Sequence, residues 1–322
     1  MKAFIINTTH EYPVKISVPF PVLKENEVYL KLTASSLNHR DLWITKGLYP
    51  GIRIGAIMGS DGCGMIDDKA YIINPGLDWG ELQSHQSSAF RVLGVPDDGT
   101  FGQFIAINKK YLFPKPEHLS HAEAASLPLA GVTAFRALIK KACVCPGDKV
   151  LITGIGGGVA LFAMQFALAM GCYVVVSSSN DLKIAEAINL GANAGYLYTN
   201  PDWAKNLIAD IGGVDIIIDG ACGDGFEKLI KVCNPGGRIV FYGATAGKIE
   251  NINPQSIFWR QISIMGTTMG SQEDFSEMVD FVNNHKISPV IYKTLDFEEI
   301  AKGFEIMESG SQFGKIVFSY TD

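Results

Sequence analysis

A glycine-dense corner joins an apolar strand to an apolar helix at Val150-Leu-Ile-Thr-Gly-Ile-Gly-Gly-Gly-Val-Ala-Leu-Phe-Ala-Met-Gln165. No other stretch restricts the fold as strongly. A short buried strand that turns at once into a helix needs backbone free of side chains at the corner. The turn also sets the amino end of the helix, with its free N–H groups and positive dipole end, just beyond the strand. Gly154, Gly156, Gly157, Gly158 and Val159 make up this corner, which suits the pyrophosphate of a dinucleotide. The match to G-x-G-x-x-G is imperfect, with Ala160 at the third glycine place, where alanine is tolerated. A turn of purely structural purpose has the same composition, so the neighbouring elements carry weight.

Lys149–Thr153, Tyr173–Val176, Val214–Asp219, Arg238–Tyr242 and Ile262–Met265 are short apolar runs, separated by helical stretches such as Asp181–Leu190 and Gly225–Cys233. Uninterrupted runs belong to strands buried on both faces. Their alternation with helices implies right-handed crossovers and a doubly wound parallel sheet, an α/β class, over residues 125–268. Residues 1–124 have another texture. Val28–Ala34 alternates apolar and polar residues, 47–64 is dense in glycine turns, and 78–102 reads as a polar surface excursion. Ser120-His121-Ala122-Glu123 fits a capping box ahead of a helical run broken by Pro128 and Gly131. Helices over 273–284 and 297–309 and a strand over Lys315–Ser319 close the chain.

The 322 residues carry a net charge of −6 and no Lys/Arg run, which argues against nucleic acid as a partner. The apolar windows are too short for a membrane span or a signal peptide, and the cysteine pattern suits a reduced, cytoplasmic protein. Cys63, Cys143, Cys145, Cys172, Cys222 and Cys233 show no zinc-site spacing and read as reduced packing thiols.

The end of the second strand of the sheet bears on the cofactor. An acidic residue there would hold the 2′-hydroxyl of NAD. The chain has Ser177-Ser178-Ser179-Asn180, with Lys183 one turn on, a set of neutral donors and a cation that favours a 2′-phosphate. NADPH is therefore expected over NADH, although Asp181 argues the other way and Lys183 also fits an ordinary helix surface.

Several motifs recur in a fixed order along nearly the whole chain. They are Met1-Lys2-Ala3, Leu37-Asn38-His39-Arg40-Asp41, Gly59-Ser60-Asp61-Gly62, Leu127-Pro128-Leu129-Ala130-Gly131-Val132-Thr133-Ala134-Phe135, Pro235-Gly236-Gly237-Arg238 and Gly314-Lys315-Ile316-Val317, with the glycine turn among them. In number and order they resemble the medium-chain dehydrogenase/reductase superfamily. The likeness is greater to its zinc-free quinone oxidoreductase branch, in a subgroup often labelled zinc-binding alcohol dehydrogenase-like. The resemblance implies a GroES-like, β-rich catalytic domain over 1–124, completed by 269–322, around an inserted Rossmann domain over 125–268. It also implies a homodimer.

In zinc alcohol dehydrogenases of this superfamily three residues hold a catalytic metal. By the resemblance, Asn38, Ser60 and Leu129 stand at their places, and the stretch matching the structural zinc loop, 78–102, has no cysteine. An amide, a hydroxyl and an aliphatic chain do not make a catalytic zinc site, and none is expected.

A hydride delivered without a Lewis acid leaves charge on the substrate oxygen, which hydrogen-bond donors must stabilise. A quinone or an α,β-unsaturated carbonyl suits this best, because conjugation spreads the charge. Asn38 is the candidate donor and Tyr49 a second, while Asp41 either anchors the loop or shuttles a proton. His39 is a candidate cofactor-phosphate contact or a loop brace. The resemblance further places Thr133 and the backbone of Met265, Gly266 and Thr267 near the nicotinamide. Tyr198 falls by the 2′-phosphate, although Thr199 replaces a frequent basic neighbour. Lys315 is expected to reach the same phosphate or to be a plain strand lysine. Gly243 and Ala244 follow the fourth apolar strand, where open α/β sheets bind ligands. Two other readings stay open, an alcohol or aldehyde dehydrogenase and a low-turnover NADPH-binding sensor or structural protein.

Overall fold

The computed structural model describes residues 1–320. The chain forms two compact units, one of Met1–Val132 with Met269–Asp322 and one of Thr133–Thr268. The first segment thus runs to Val132 rather than to residue 124. The reason is local, since the helix His121–Ser126 packs on the strands Glu27–Ser36 and Asp61–Ile66.

The second unit is a six-stranded parallel sheet. Its strands are β1 (Lys149–Ile152), β2 (Tyr173–Ser178), β3 (Ala194–Leu197), β4 (Val214–Asp219), β5 (Cys233–Phe241) and β6 (Ser263–Gly266), in the order β3-β2-β1-β4-β5-β6. The order reverses direction at β1, which pairs with β2 on one side and β4 on the other. Val150–Ile152, Val174–Val176 and Ile216–Ile218 have no exposure, because helices cover both faces. That burial explains their unbroken apolar sequence. Helix α1 (Gly158–Ala169) follows β1, and its Phe162 and Phe166 are buried. Helix α2 (Asp181–Asn189) is capped by the Asn180 side chain on the Leu182 N–H at 2.8 Å.

Strand β5 begins five residues before the expected Arg238. It opens opposite Val214 and absorbs Pro235-Gly236-Gly237 in a bulge before Arg238 pairs with Ile216. Strand β3 and the helix Trp203–Ile211 were not visible in the apolar pattern.

The first unit is built on an antiparallel sheet around the long strand Glu27–Ser36. Asp61–Ile66 lies on one side and the closing strand Lys315–Ser319 on the other. Ser36 pairs with Asp61 and with Val317, so three distant segments meet at one end of this strand. Phe101 and Phe318 meet edge to face at 5.4 Å within the core beneath. The expected capping box holds, with Ser120 accepting from the Glu123 N–H and Glu123 from the Ser120 N–H. The segment 78–102 is irregular but not merely superficial, because Trp79, Val92, Leu93 and Val95 are buried.

Phe226 is fully buried in the core of the second unit, with Leu229, Ile217 and Ile239 in the same cluster. Phe226→Ala should cost about 3–5 kcal/mol of stability, read by denaturant unfolding. A loss under about 1 kcal/mol would remove this residue from the core.

Candidate functional site

The glycine corner of the second unit has the geometry that an anion needs. Gly154 and Gly156 have φ of +63° and +119°, in the region that favours glycine. A Cβ at Gly154 would meet nothing within 4 Å, and at Gly157 only the Gly154 carbonyl at the limit of contact. The space before the turn is therefore open, and side-chain packing does not demand glycine there. Gly157 caps α1 without a side-chain bond, and the first turn holds no acidic residue. The first N–H groups of a twelve-residue helix are left for a ligand. A dinucleotide pyrophosphate fits this corner.

The other expected cofactor residues of this unit gather at the carboxyl ends of the parallel strands. The Ile155 N–H donates to Ser177 O at 2.9 Å, and the Tyr198 N–H to Ser178 O at 3.0 Å. The turn, Ser177, Ser178 and Tyr198 thus form one edge. Both serines are buried, Tyr198 is exposed and Lys183 is half-buried. Asp181 is exposed in the first turn of α2. Gly243 and Ala244 follow β5, and Met265 and Gly266 end β6. Thr267 donates its N–H to Phe241 O, while its buried hydroxyl has no partner among the described residues. An orphaned hydroxyl at that edge suits a ligand amide. Thr133 is buried at the start of the unit. Sequence reasoning missed Asp219 at the end of β4, which accepts from the Thr153 hydroxyl and from the Cys222 N–H and so ties two adjacent strand ends together.

In the first unit the ends of three neighbouring strands bring Asn38, Asp61 and Lys315 together. Asp61 is fully buried. Its Oδ2 accepts from Ser36 Oγ at 3.1 Å, Asn38 Nδ2 at 2.8 Å and Lys315 Nζ at 3.2 Å, and its Oδ1 from the Leu129 N–H at 2.8 Å. The Lys315 ammonium also donates to Asn38 Oδ1 at 2.7 Å and to Leu37 O at 3.0 Å. Its three protons are spent inside this unit, which corrects the expectation that it serves a cofactor phosphate. Burial holds the ammonium below the usual lysine range, against the pull of Asp61.

Arg40 forms a second buried node. It donates to Ser60 Oγ at 2.6 Å, Leu93 O at 2.7 Å and Val95 O at 3.1 Å, and lies 4.7 Å from the Tyr49 ring centre. Ser60 in turn donates to Leu93 O. Asp41 accepts the Asn38 N–H at 2.8 Å and so anchors the helix His39–Thr45, while His39 is exposed. Sequence reasoning missed Asp61, Arg40 and the true partners of Lys315, although Asp61 stands beside Ser60 in a motif it had singled out.

These residues do not fit zinc. Asn38 is engaged at both ends of its amide, Ser60 is committed to Arg40 and Leu93, and Leu129 offers only a backbone N–H. Among the described residues no group of three His, Cys, Asp or Glu is arranged to hold a metal. Of the cysteines read as packing thiols, Cys63 is buried, but Cys143 and Cys145 are exposed, because they lie in the loop before β1. No helix among the described residues is long and apolar enough to cross a membrane.

A doubly wound sheet, an open glycine corner at its first strand and a β-rich companion unit define an oxidoreductase of the dinucleotide-binding kind. Residues 24–117 match the alcohol dehydrogenase GroES-like domain and 158–284 the zinc-binding dehydrogenase family. The zinc-type alcohol dehydrogenase-like protein YogA of Leptosphaeria maculans is 38% identical, covering 95% of this chain and 94% of that protein. A crystal structure of an NAD-dependent alcohol dehydrogenase superposes with a TM-score of 0.93 at 32% identity over 99% of each chain. The quinone oxidoreductase of Thermus thermophilus, solved also with NADPH, gives 0.83 at 26% identity, over 99% of this chain and 100% of that one. The chain belongs to the medium-chain dehydrogenase/reductase superfamily.

Asp41 yields a pH test. Burial raises its pKa to about 6, above the roughly 3.9 of an unfolded chain. The protonated form is favoured on folding, so its contribution is full below about pH 4 and is lost as pH rises through about 6. Asp41→Asn keeps an acceptor for the Asn38 N–H without the charge. It should gain up to about 3 kcal/mol on the native protein between about pH 4 and pH 7, measured as unfolding free energy. A pH-independent difference would refute the assignment.

Proposed function

We propose that the chain is an NADPH-dependent, zinc-independent reductase that passes hydride to a quinone or an α,β-unsaturated carbonyl compound. The observation that carries this reading is the Asn38 amide, held in a buried network by Asp61 and Lys315, at the position that the resemblance matches to a metal ligand of zinc alcohol dehydrogenases. When bound, a reduced nicotinamide supplies the hydride. Asn38 then offers an N–H to the charge that gathers on the substrate oxygen. Its strength suits an oxygen whose charge conjugation already spreads. Tyr49, half-buried against Arg40, is a second donor in this reading. Asp41 holds the loop in place through the Asn38 backbone.

NADPH is favoured over NADH by the absence of a carboxylate in Ser177-Ser178-Ser179-Asn180 and by Lys183 and Tyr198 beside it. The NADPH complex of the Thermus relative agrees with this, while the NAD-dependent relative does not. A cytoplasmic homodimer completes the reading. Its sheet edge would be β6, preceded by the exposed Phe258 and Trp259. The competing reading is an alcohol or aldehyde dehydrogenase, favoured by the alcohol dehydrogenase names of most of these relatives.

Purified protein should oxidise NADPH with quinones or enones, and dialysis against a chelator should leave the rate unchanged. Alcohol oxidation that is lost with bound zinc would establish the competing reading. Asn38→Ala should lower kcat about 100-fold, the order seen on losing one such donor. Lys183→Glu should weaken NADPH far more than NADH in a binding titration, and equal weakening would count against the 2′-phosphate role.

A further inference from the structure

An ammonium only donates hydrogen bonds and a carboxylate only accepts them. Between Lys315 and Asp61, the Asn38 amide has a single satisfied orientation. Its Oδ1 receives the ammonium at 2.7 Å, and its Nδ2 donates to Asp61 Oδ2 at 2.8 Å. Turning the amide over would set N–H against N–H and oxygen against carboxylate, with Asn38 6% and Lys315 4% exposed. Such a clash is costly where water cannot relieve it. Nδ2 carries two protons, and Asp61 takes one of them.

Building on the reading that Asn38 receives the substrate oxygen, we propose that Lys315 is a positioning residue. It fixes the Asn38 amide so that the second Nδ2 proton is the one presented to that oxygen. The ammonium also polarises the amide through Oδ1, and hydrogen bonds in a chain strengthen one another. A fixed positive charge thus acts on the substrate oxygen through one intervening amide. No proton is transferred in this arrangement.

The test uses the full chain labelled with ¹⁵N-asparagine, with Asn38→Ala to identify the Asn38 amide signals. In the native protein the two Nδ2 protons should be well separated and slow to interchange. Interchange as fast as that of exposed asparagines would overturn the proposal. Lys315→Met alone would leave Asp61 as an uncompensated buried charge, so the paired variant is Lys315→Met with Asp61→Asn. With folding checked by thermal melting, the pair should collapse the separation and lower kcat about 10- to 100-fold, at an NADPH KM within twofold of native. A folded double variant with native kcat, or with lowered kcat and unmoved Asn38 signals, would refute the positioning role. Unchanged kcat in Asn38→Ala would instead sink the oxyanion reading, and the amide signals would still report on Lys315.

Discussion

The carboxylate of Asp61 is surrounded by protein, and the first unit is organised around satisfying it. Taking a carboxylate and an ammonium out of water costs several kcal/mol each, regained only with close geometry and complete hydrogen bonding. Asp61 has four donors, from Ser36, Asn38, Leu129 and Lys315. Lys315 has three acceptors. Losing either partner would strand the other at a cost of about 3–5 kcal/mol. The pair therefore fixes more than itself. It holds the closing strand against Glu27–Ser36, the Asn38 loop against both, and the helix that begins at Pro128 through the Leu129 N–H.

The second unit rests on a different principle. Its strands bury apolar side chains on both faces, so its stability comes from area removed from water rather than from placed charges. Polar groups collect at the carboxyl ends of the strands, where Asp219, Thr153 and Ser178 at the end of β2 close the backbone. The open glycine corner lies at that same edge. One unit thus supplies an apolar frame with a polar rim, and the other a polar knot within a sheet.

What could be read in the sequence follows from these two principles. Val214–Asp219 was legible to the residue, because a strand buried on both faces is written as an unbroken apolar run. Ala194–Leu197 was not, because its four residues are only partly buried and include a glycine. The glycine corner was legible because backbone conformation is a local property. The Asp61 knot was not, because Lys315 lies 254 residues away and charge alone does not reveal which partner claims a cation. The sequence left Lys315 between a phosphate contact and a plain strand lysine, whereas a carboxylate, an amide and a backbone carbonyl use all its protons.

The split of the first unit has a consequence for the growing chain. At roughly 5–20 residues per second, Asp61 leaves the ribosome some 13 to 50 seconds before Lys315 does. The continuous second unit is fully translated in that interval. Until the last segment arrives, the sheet around Glu27–Ser36 lacks one neighbour and Asp61 lacks its counter-charge. Of its four donors, Ser36, Asn38 and Leu129 are already translated by then. The unit whose residues begin emerging first is therefore the last to be completed, and Lys315 closes it.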